Sequence, residues 1–265
     1  MSLSLFDLTG KRTFITGATK GIGRAIAEAF VDHGATVAIT SRASSEAADT
    51  AGAINARARR DAAIGIGCDL DDLQSALAAF DEALERLGAM DVLICNAAAT
   101  PSRYGPAADF AIEEYERLLR TNIVNNMALM NRAAAHMKER GEGVILVTSS
   151  GAGLRPNYGI LPYGVAKAGL NHAVRALGAE LAPSNVRVNG IAPGMTRSWS
   201  LEQESKRNPD VIDTYARNIP LGRVIEPEEI AAGMVFLASV GGRNMTGQII
   251  AIDGGEPGGG RPSSS

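Results

Sequence analysis

The chain has 265 residues, with 26 Lys and Arg against 29 Asp and Glu and a formal net charge of −3 at pH 7. Near-neutral charge offers no field to draw nucleic acid or an anionic membrane surface, and no run approaches the roughly 18 apolar residues of a membrane span. Hydrophobic residues make up 45%, enough for a large core, and the 30 glycines, about 11% against an average of roughly 7%, lack the three-residue period of collagen.

In chain order, apolar runs predict strands at Thr13–Thr16, Thr36–Thr40, Ala62–Cys68, Val92–Cys95, Val144–Thr148, Val186–Ile191 and Ile249–Ile252. Val92-Leu93-Ile94 and Val144-Ile145-Leu146-Val147 are apolar at consecutive positions, the pattern of strands buried on both faces. Helix-length stretches separate them at Arg24–His33, Leu70–Leu87, Ile112–Arg140, Gly164–Leu181 and Pro227–Val240. Gly34 and Gly88 fall where C-terminal caps belong, and Pro227 suits a first helical turn. This alternation predicts an α/β, Rossmann-type doubly wound fold: a single domain over residues 1–265, with a central parallel sheet of about seven strands and helices on both faces. Residues 194–221 break the rhythm, are polar and long, and read as a lid; residues 256–265 are Gly/Pro/Ser-rich and read as a loose tail.

The N-terminal stretch Met1–Asp7 lacks the basic and apolar regions of a signal peptide. Cys68 and Cys95 sit in or beside apolar runs and read as buried, reduced thiols, so a cytoplasmic location is expected. His33, His136 and His172 are far apart, without metal-ligand spacing, and no metal is expected.

The first predicted strand runs into Thr16-Gly17-Ala18-Thr19-Lys20-Gly21-Ile22-Gly23, which opens the first helix. Glycines in such a turn let the backbone approach a pyrophosphate, and the helix N-terminus presents free N–H groups to it. A carboxylate about 20 residues further on would bind the ribose 2′-OH of NAD(H). Here the second strand ends Ser41-Arg42, with no acid before Glu46. Arg42 can pair with a 2′-phosphate, the Ser41 hydroxyl can assist, and Lys20 adds a second cation. The expected cofactor is therefore NADP(H) rather than NAD(H).

Further along lie Cys68-Asp69-Leu70, Asn96-Ala97-Ala98, Asn122, Ser149-Ser150, Tyr163-x-x-x-Lys167, Pro193-Gly194-x-Thr196 and Thr246-Gly247-Gln248. With the glycine turn, these motifs resemble the classical short-chain dehydrogenase/reductase family along nearly the whole chain. Within the family, the texture around Ile219–Arg223 and Pro227–Ala231 is similar to 3-oxoacyl carrier-protein reductases and to sugar or polyol dehydrogenases.

The chemistry of the residues supports the same reading. Tyr163 and Lys167 are four apart and share one helix face. A phenol titrates near 10, and a neighbouring ammonium is expected to lower that value toward working pH, making Tyr163 a general acid or base. Ser150, at a strand end, would hydrogen-bond a substrate oxygen. The resemblance implies that Lys167 also binds the nicotinamide ribose and that Asn122 holds a water leading from Lys167 to solvent. It further implies that Asp69 and Leu70 meet the adenine, that Asn96, Ala97 and Ala98 line the adenosine ribose, and that Pro193, Gly194, Met195 and Thr196 cover the nicotinamide. Cys95 stands where the family carries an Asn, a departure that removes polar contacts at that position.

Leu154, Tyr158, Leu161, Trp199 and Leu201 are candidate apolar walls for a substrate, and Arg155 reads as a solvated loop residue. The expected activity is reduction of a ketone to a secondary alcohol by NADPH, with a 3-oxoacyl thioester or similar as substrate. The alternatives are an NAD(P)-dependent sugar, polyol or steroid alcohol dehydrogenase and a non-catalytic NADP-binding regulator. The resemblance also implies a homotetramer or homodimer, associated through the helices of Ile112–Arg140 and Gly164–Leu181 and the last strand.

Overall fold

The computed structural model describes residues 5–256; of the tail expected at 256–265, all but Glu256 lies outside the described residues. Seven strands form one parallel sheet: β1 (Arg12–Ile15), β2 (Thr36–Ser41), β3 (Ala63–Gly67), β4 (Val92–Cys95), β5 (Gly143–Thr148), β6 (Val186–Pro193) and β7 (Ile249–Ile252). Their order is β3-β2-β1-β4-β5-β6-β7. The order reverses between β1 and β4, and in open α/β sheets the crevice for a ligand lies at the carboxyl ends of the strands at such a reversal.

Consecutive apolar strand residues feed two different cores, because side chains alternate across a sheet. Ile15, Val37, Ile39, Val92, Ile94 and Leu146 enter one core, with Ile26 and Phe30 of α1 (Gly21–Asp32), Ile54 of α2 (Ser44–Ala58) and Ile230 and Met234 of α9 (Pro227–Ala238). Phe14, Ala38, Leu93, Cys95, Ile145 and Val147 enter the other. They meet Phe80 of α3 (Leu73–Leu87), Met130 and Met137 of α5 (Asn126–Arg140), and Leu170 and Val174 of α6 (Leu161–Leu181). Both cysteines are free and buried. Among the described residues no helix is long and apolar enough to cross a membrane.

The strands fall within two residues of their expected bounds, and the helices differ more. Helix α2 was not expected: its sequence is mostly Ala, Ser, Asp and Asn, so no apolar stripe marks it. It forms because Ala47, Thr50, Ala51 and Ile54 bury one narrow face against a sheet left bare at Gly65, where a Cβ would lie 2.3 Å from the Ala47 backbone. Helix α3 starts three residues later than expected, at the Asp72 cap, whose carboxylate accepts from Gln74 N at 2.8 Å. The long stretch Ile112–Arg140 is two helices, α4 (Ile112–Leu119) and α5, joined by a π-helical turn at Arg120–Asn125. The segment after β6 carries α7 (Trp199–Ser205) and α8 (Val211–Ala216) around a small core of Leu201, Val211, Ile219 and Val224.

At the opposite end of the sheet from the crevice, Asp91 is buried between two guanidinium groups. Arg12 Nε donates to it at 2.8 Å and Arg140 Nη2 at 2.7 Å. Burial alone would raise this carboxyl, but the bonds from Arg12 and Arg140 hold it well below the ordinary 3.8. Asp91→Asn is expected to cost about 2–3 kcal/mol in urea denaturation at pH 7, since it strands two partly buried cations. A carboxyl lowered in the folded state stabilises fully above its unfolded value and less as pH falls. The gap between variant and wild type is therefore expected to narrow below about pH 4.

Candidate active site

The glycine-rich turn leaves β1 at the reversal of strand order. Gly17 and Gly21 have φ of +64° and +51°, a region other residues rarely adopt. At Gly23 a Cβ would fall 2.2 Å from the Gly17 carbonyl and 2.5 Å from Asn96 Nδ2, so only glycine fits. Neighbouring side chains fix the turn. Asn96 Nδ2 donates to the carbonyls of Thr16 (3.1 Å) and Gly17 (2.9 Å), and Thr40 Oγ1 accepts from Gly17 N at 3.0 Å. The Thr16 hydroxyl accepts from the backbone N–H of Asn96 and Ala97, each at 3.0 Å. Helix α1 follows with Lys20 at its cap position and no side-chain cap bond, which leaves its first N–H groups to other partners. A bare backbone before an uncapped helix start fits a pyrophosphate.

At the end of β2, Arg42 is exposed, and Ser41 and Lys20 share a partner that sequence reasoning did not anticipate. Lys20 Nζ lies 2.6 Å from Glu46 Oε1, and the Ser41 hydroxyl donates to Glu46 Oε2. Lys20, then Ser41, hold this carboxyl below its usual range. Lys20 also lies 4.9 Å from the centre of the Trp199 ring, and Trp199 N would be 3.3 Å from a Cβ on Gly21. Trp199, expected as a substrate wall, thus stands over the glycine turn. Past β3, Asp69 Oδ1 accepts from Asp71 N at 3.0 Å, and the carbonyl of buried Leu70 accepts from Asn125 Nδ2 at 2.7 Å.

Ser150 follows β5 and begins a tight turn, its hydroxyl accepting from Ala152 N at 3.1 Å. The turn lies flush on α6: a Cβ at Gly153 would sit 2.7 Å from the Lys167 backbone. Asn171 holds it there, accepting from the Ser149 hydroxyl and donating to the Gly153 carbonyl at 3.0 Å. Asn171 was missed from sequence, though it stands four residues after Lys167 and eight after Tyr163 on the same helix face.

Tyr163 and Lys167 do come together, with Lys167 Nζ 5.6 Å from the Tyr163 ring centre. Their titration differs from expectation. Burial pushes the Tyr163 phenol up to about 12, with the Ser150 hydroxyl pulling the other way. Burial brings Lys167 down to about 8. Lys167 is only 2% exposed, faces the ring, and donates to the Thr148 carbonyl at 2.9 Å. Desolvation is the largest cause for both and shifts each group toward its neutral form. Cys95 lies nearby, fully buried, its thiol pushed up to about 12 by that burial.

The Asn122 side chain grips the loop after β4. Its Oδ1 accepts from Ala99 N at 3.0 Å and its Nδ2 donates to Ala99 O at 2.9 Å. The π-helical turn presents it to that loop.

Leu154, Tyr158 and Leu161 are exposed, while Leu201 is buried in the small core of the segment after β6. Arg155 is not solvated. It pairs with Asp253 at 2.6 Å and reaches Glu256 at 3.5 Å, tying the Ser150 turn to the segment after β7. Pro193, Gly194, Met195 and Thr196 continue from β6. Gly194 N donates to Ile252 O at 2.9 Å, and the Thr196 hydroxyl donates to Gly194 O at 3.0 Å.

A family model described as "Enoyl-(Acyl carrier protein) reductase" matches residues 17–256. The chain is 34% identical over 247 residues to the short-chain reductase protein NovJ of Streptomyces niveus, covering 92% of each. Among solved structures it is similar to a 3-ketoacyl-(acyl-carrier-protein) reductase from Brucella melitensis complexed with NADH, at 30% identity and a TM-score of 0.85, covering 94% of this chain and 99% of that one. It is also similar to a Beutenbergia cavernae protein described as an NAD(P) dependent gluconate 5-dehydrogenase, with NADP bound at low occupancy. There the identity is 29% and the TM-score 0.87, covering 95% of this chain and 98% of that one.

A buried ammonium strains the fold in proportion to its pKa shift. Lowering Lys167 from 10.5 to about 8 corresponds to about 3 kcal/mol, and the bond to Thr148 returns about 1 kcal/mol. Lys167→Met is expected to stabilise the protein by about 2 kcal/mol in urea denaturation at pH 7. The folded wild type binds fewer protons than the unfolded chain between pH 8 and 10.5. Its own stability therefore rises through that window, and the advantage of the variant fades.

Proposed function

The chain belongs to the short-chain dehydrogenase/reductase family of oxidoreductases, and on that premise we propose that it is an NADPH-dependent carbonyl reductase. The observation that carries this reading is the meeting of half-buried Tyr163 with buried Lys167 beside Ser150, at the strand-order reversal where the glycine turn can seat a dinucleotide. When bound, the nicotinamide supplies hydride to the carbonyl carbon. Ser150 donates to the substrate oxygen as charge develops there. Tyr163 delivers the proton: a phenol raised to about 12 keeps its proton at neutral pH and yields it to an alkoxide, a stronger base. Lys167, still mostly protonated at pH 7, favours the phenolate that remains and reaches the nicotinamide ribose. Asn122 acts as a positioning residue through Ala99.

On the cofactor side, Gly17, Thr19, Gly21, Ile22 and Gly23 cradle the pyrophosphate, Lys20, Ser41 and Arg42 receive the 2′-phosphate, and Asp69 and Leu70 meet the adenine. The ketoacyl reductase likeness supports a 3-oxoacyl thioester or similar ketone, and the gluconate dehydrogenase likeness supports a sugar or polyol alcohol as the second reading. Leu154, Trp199 and Leu201 belong to the lid and loop that border the substrate. Exposed Ile112, Val124 and Val165 on α4, the π turn and α6 support association into a homodimer or homotetramer through those helices.

Two variants test the reading by NADPH oxidation with a panel of ketones. Tyr163→Phe is expected to lower kcat by about 10²–10⁴-fold, and a loss of only a few-fold removes the phenol from the proposed chemistry. Arg42→Asp is expected to raise Kd for NADPH about 10- to 100-fold relative to NADH; equal effects on both reject the NADP assignment.

A further inference from the structure

The proposed 2′-phosphate subsite already holds an anion that belongs to the chain. Lys20 and Ser41 both direct their polar groups to one carboxylate, that of Glu46. Glu46 is the third residue of α2, a 15-residue helix whose cap residue, Ala43, has no side chain to accept from the first N–H groups. Negative charge is favoured there by the helix end as well as by the lysine.

We propose that Glu46 is a cofactor-discriminating residue: its carboxylate stands in for the 2′-phosphate on Lys20 and Ser41 and must leave for that phosphate to bind. The inference rests on the reading that NADPH is the cofactor. Two anions cannot share the same ammonium and hydroxyl at hydrogen-bond distance without mutual repulsion. Glu46 can leave, since its side chain is one-third exposed and turns on flexible torsions at the surface. NADH lacks the phosphate, so its binding leaves the Lys20–Glu46–Ser41 contacts in place. Glu46 therefore opposes NADPH alone, and narrows a preference that Lys20, Ser41 and Arg42 would otherwise make steep.

The test uses the whole protein with 2′,5′-ADP and ADP, then NADPH and NADH, by calorimetry. Trp199, the single tryptophan, lies on Lys20 and gives a second signal when that lysine changes partner. E46Q is expected to tighten 2′,5′-ADP and NADPH by about 3- to 10-fold, the scale of a partly screened ion pair and its repulsion. ADP and NADH are expected to shift less than twofold. Glu46→Ala is expected to match E46Q, which separates charge from shape. If 2′,5′-ADP binds no tighter to either variant, the inference is overturned. It is equally overturned if NADH weakens, because the carboxylate then serves ribose hydroxyls. Arg42→Asp separates the two readings. Weakened 2′,5′-ADP in that variant without tightening in E46Q sinks only the role of Glu46, whereas 2′,5′-ADP unmoved by Arg42→Asp sinks the NADP assignment.

Discussion

The side-chain amide of Asn96 joins three strands at the point where the sheet reverses. Its nitrogen bonds the carbonyls of Thr16 and Gly17 after β1, and its oxygen accepts from the Thr148 hydroxyl at the end of β5, at 3.1 Å. The Thr148 carbonyl in turn accepts from Lys167 Nζ. One chain of hydrogen bonds thus runs from the glycine turn, where a pyrophosphate fits, to the buried ammonium beside Tyr163. Every group along it has a partner, so the glycine turn and the Tyr163–Lys167 pair share a single alignment, and a shift at one end is felt at the other.

This chain runs through low-dielectric surroundings, and the consequence is electrostatic. Cys95 beneath it is apolar in effect, its thiol held neutral by burial. With no second amide at position 95, Lys167 has one strong acceptor, the Thr148 carbonyl, and desolvation is weakly opposed. The same surroundings keep the Tyr163 phenol protonated. In the proposed reaction, charge developing on a substrate oxygen would meet Ser150 and Tyr163 at the edge of these surroundings, where hydrogen bonds weigh more than in water. The crevice end of the sheet accepts an unfavourable lysine, while the other end holds Asp91 with two arginines.

Strand positions were legible because a strand buried on both faces has no choice but to be apolar throughout, as Val92–Cys95 shows. The placement of the glycine turn and of Tyr163 beside Lys167 was legible because those residue types stand at fixed spacing in sequence. What escaped was set by partners distant in sequence. Helix α2 depends on the bare surface at Gly65, the grip of Asn122 on Ala99 depends on a π-helical turn, and Arg155 is drawn from solvent by Asp253, 98 residues away. Glu46 escaped for a subtler reason. It was counted only as an acid too late in the chain to serve the ribose, yet one helical turn brings it back onto Lys20.

The excess of glycine has a physical cause beyond the making of turns. At Gly23, Gly65, Gly153 and Gly194 a Cβ would fall within 3 Å of another part of the chain. Gly153 lets the Ser150 turn lie on α6 beside Lys167, and Gly194 lets the segment after β6 lie on Asp253, the partner of Arg155. Without these absences the two turns that border the crevice would stand off from the helix and strand that fix them. A methyl group at either place would move backbone, not a flexible side-chain end. Precision at the site is therefore obtained by removing side chains where elements meet, and the turns so seated are then held by side chains such as Asn171 and Arg155.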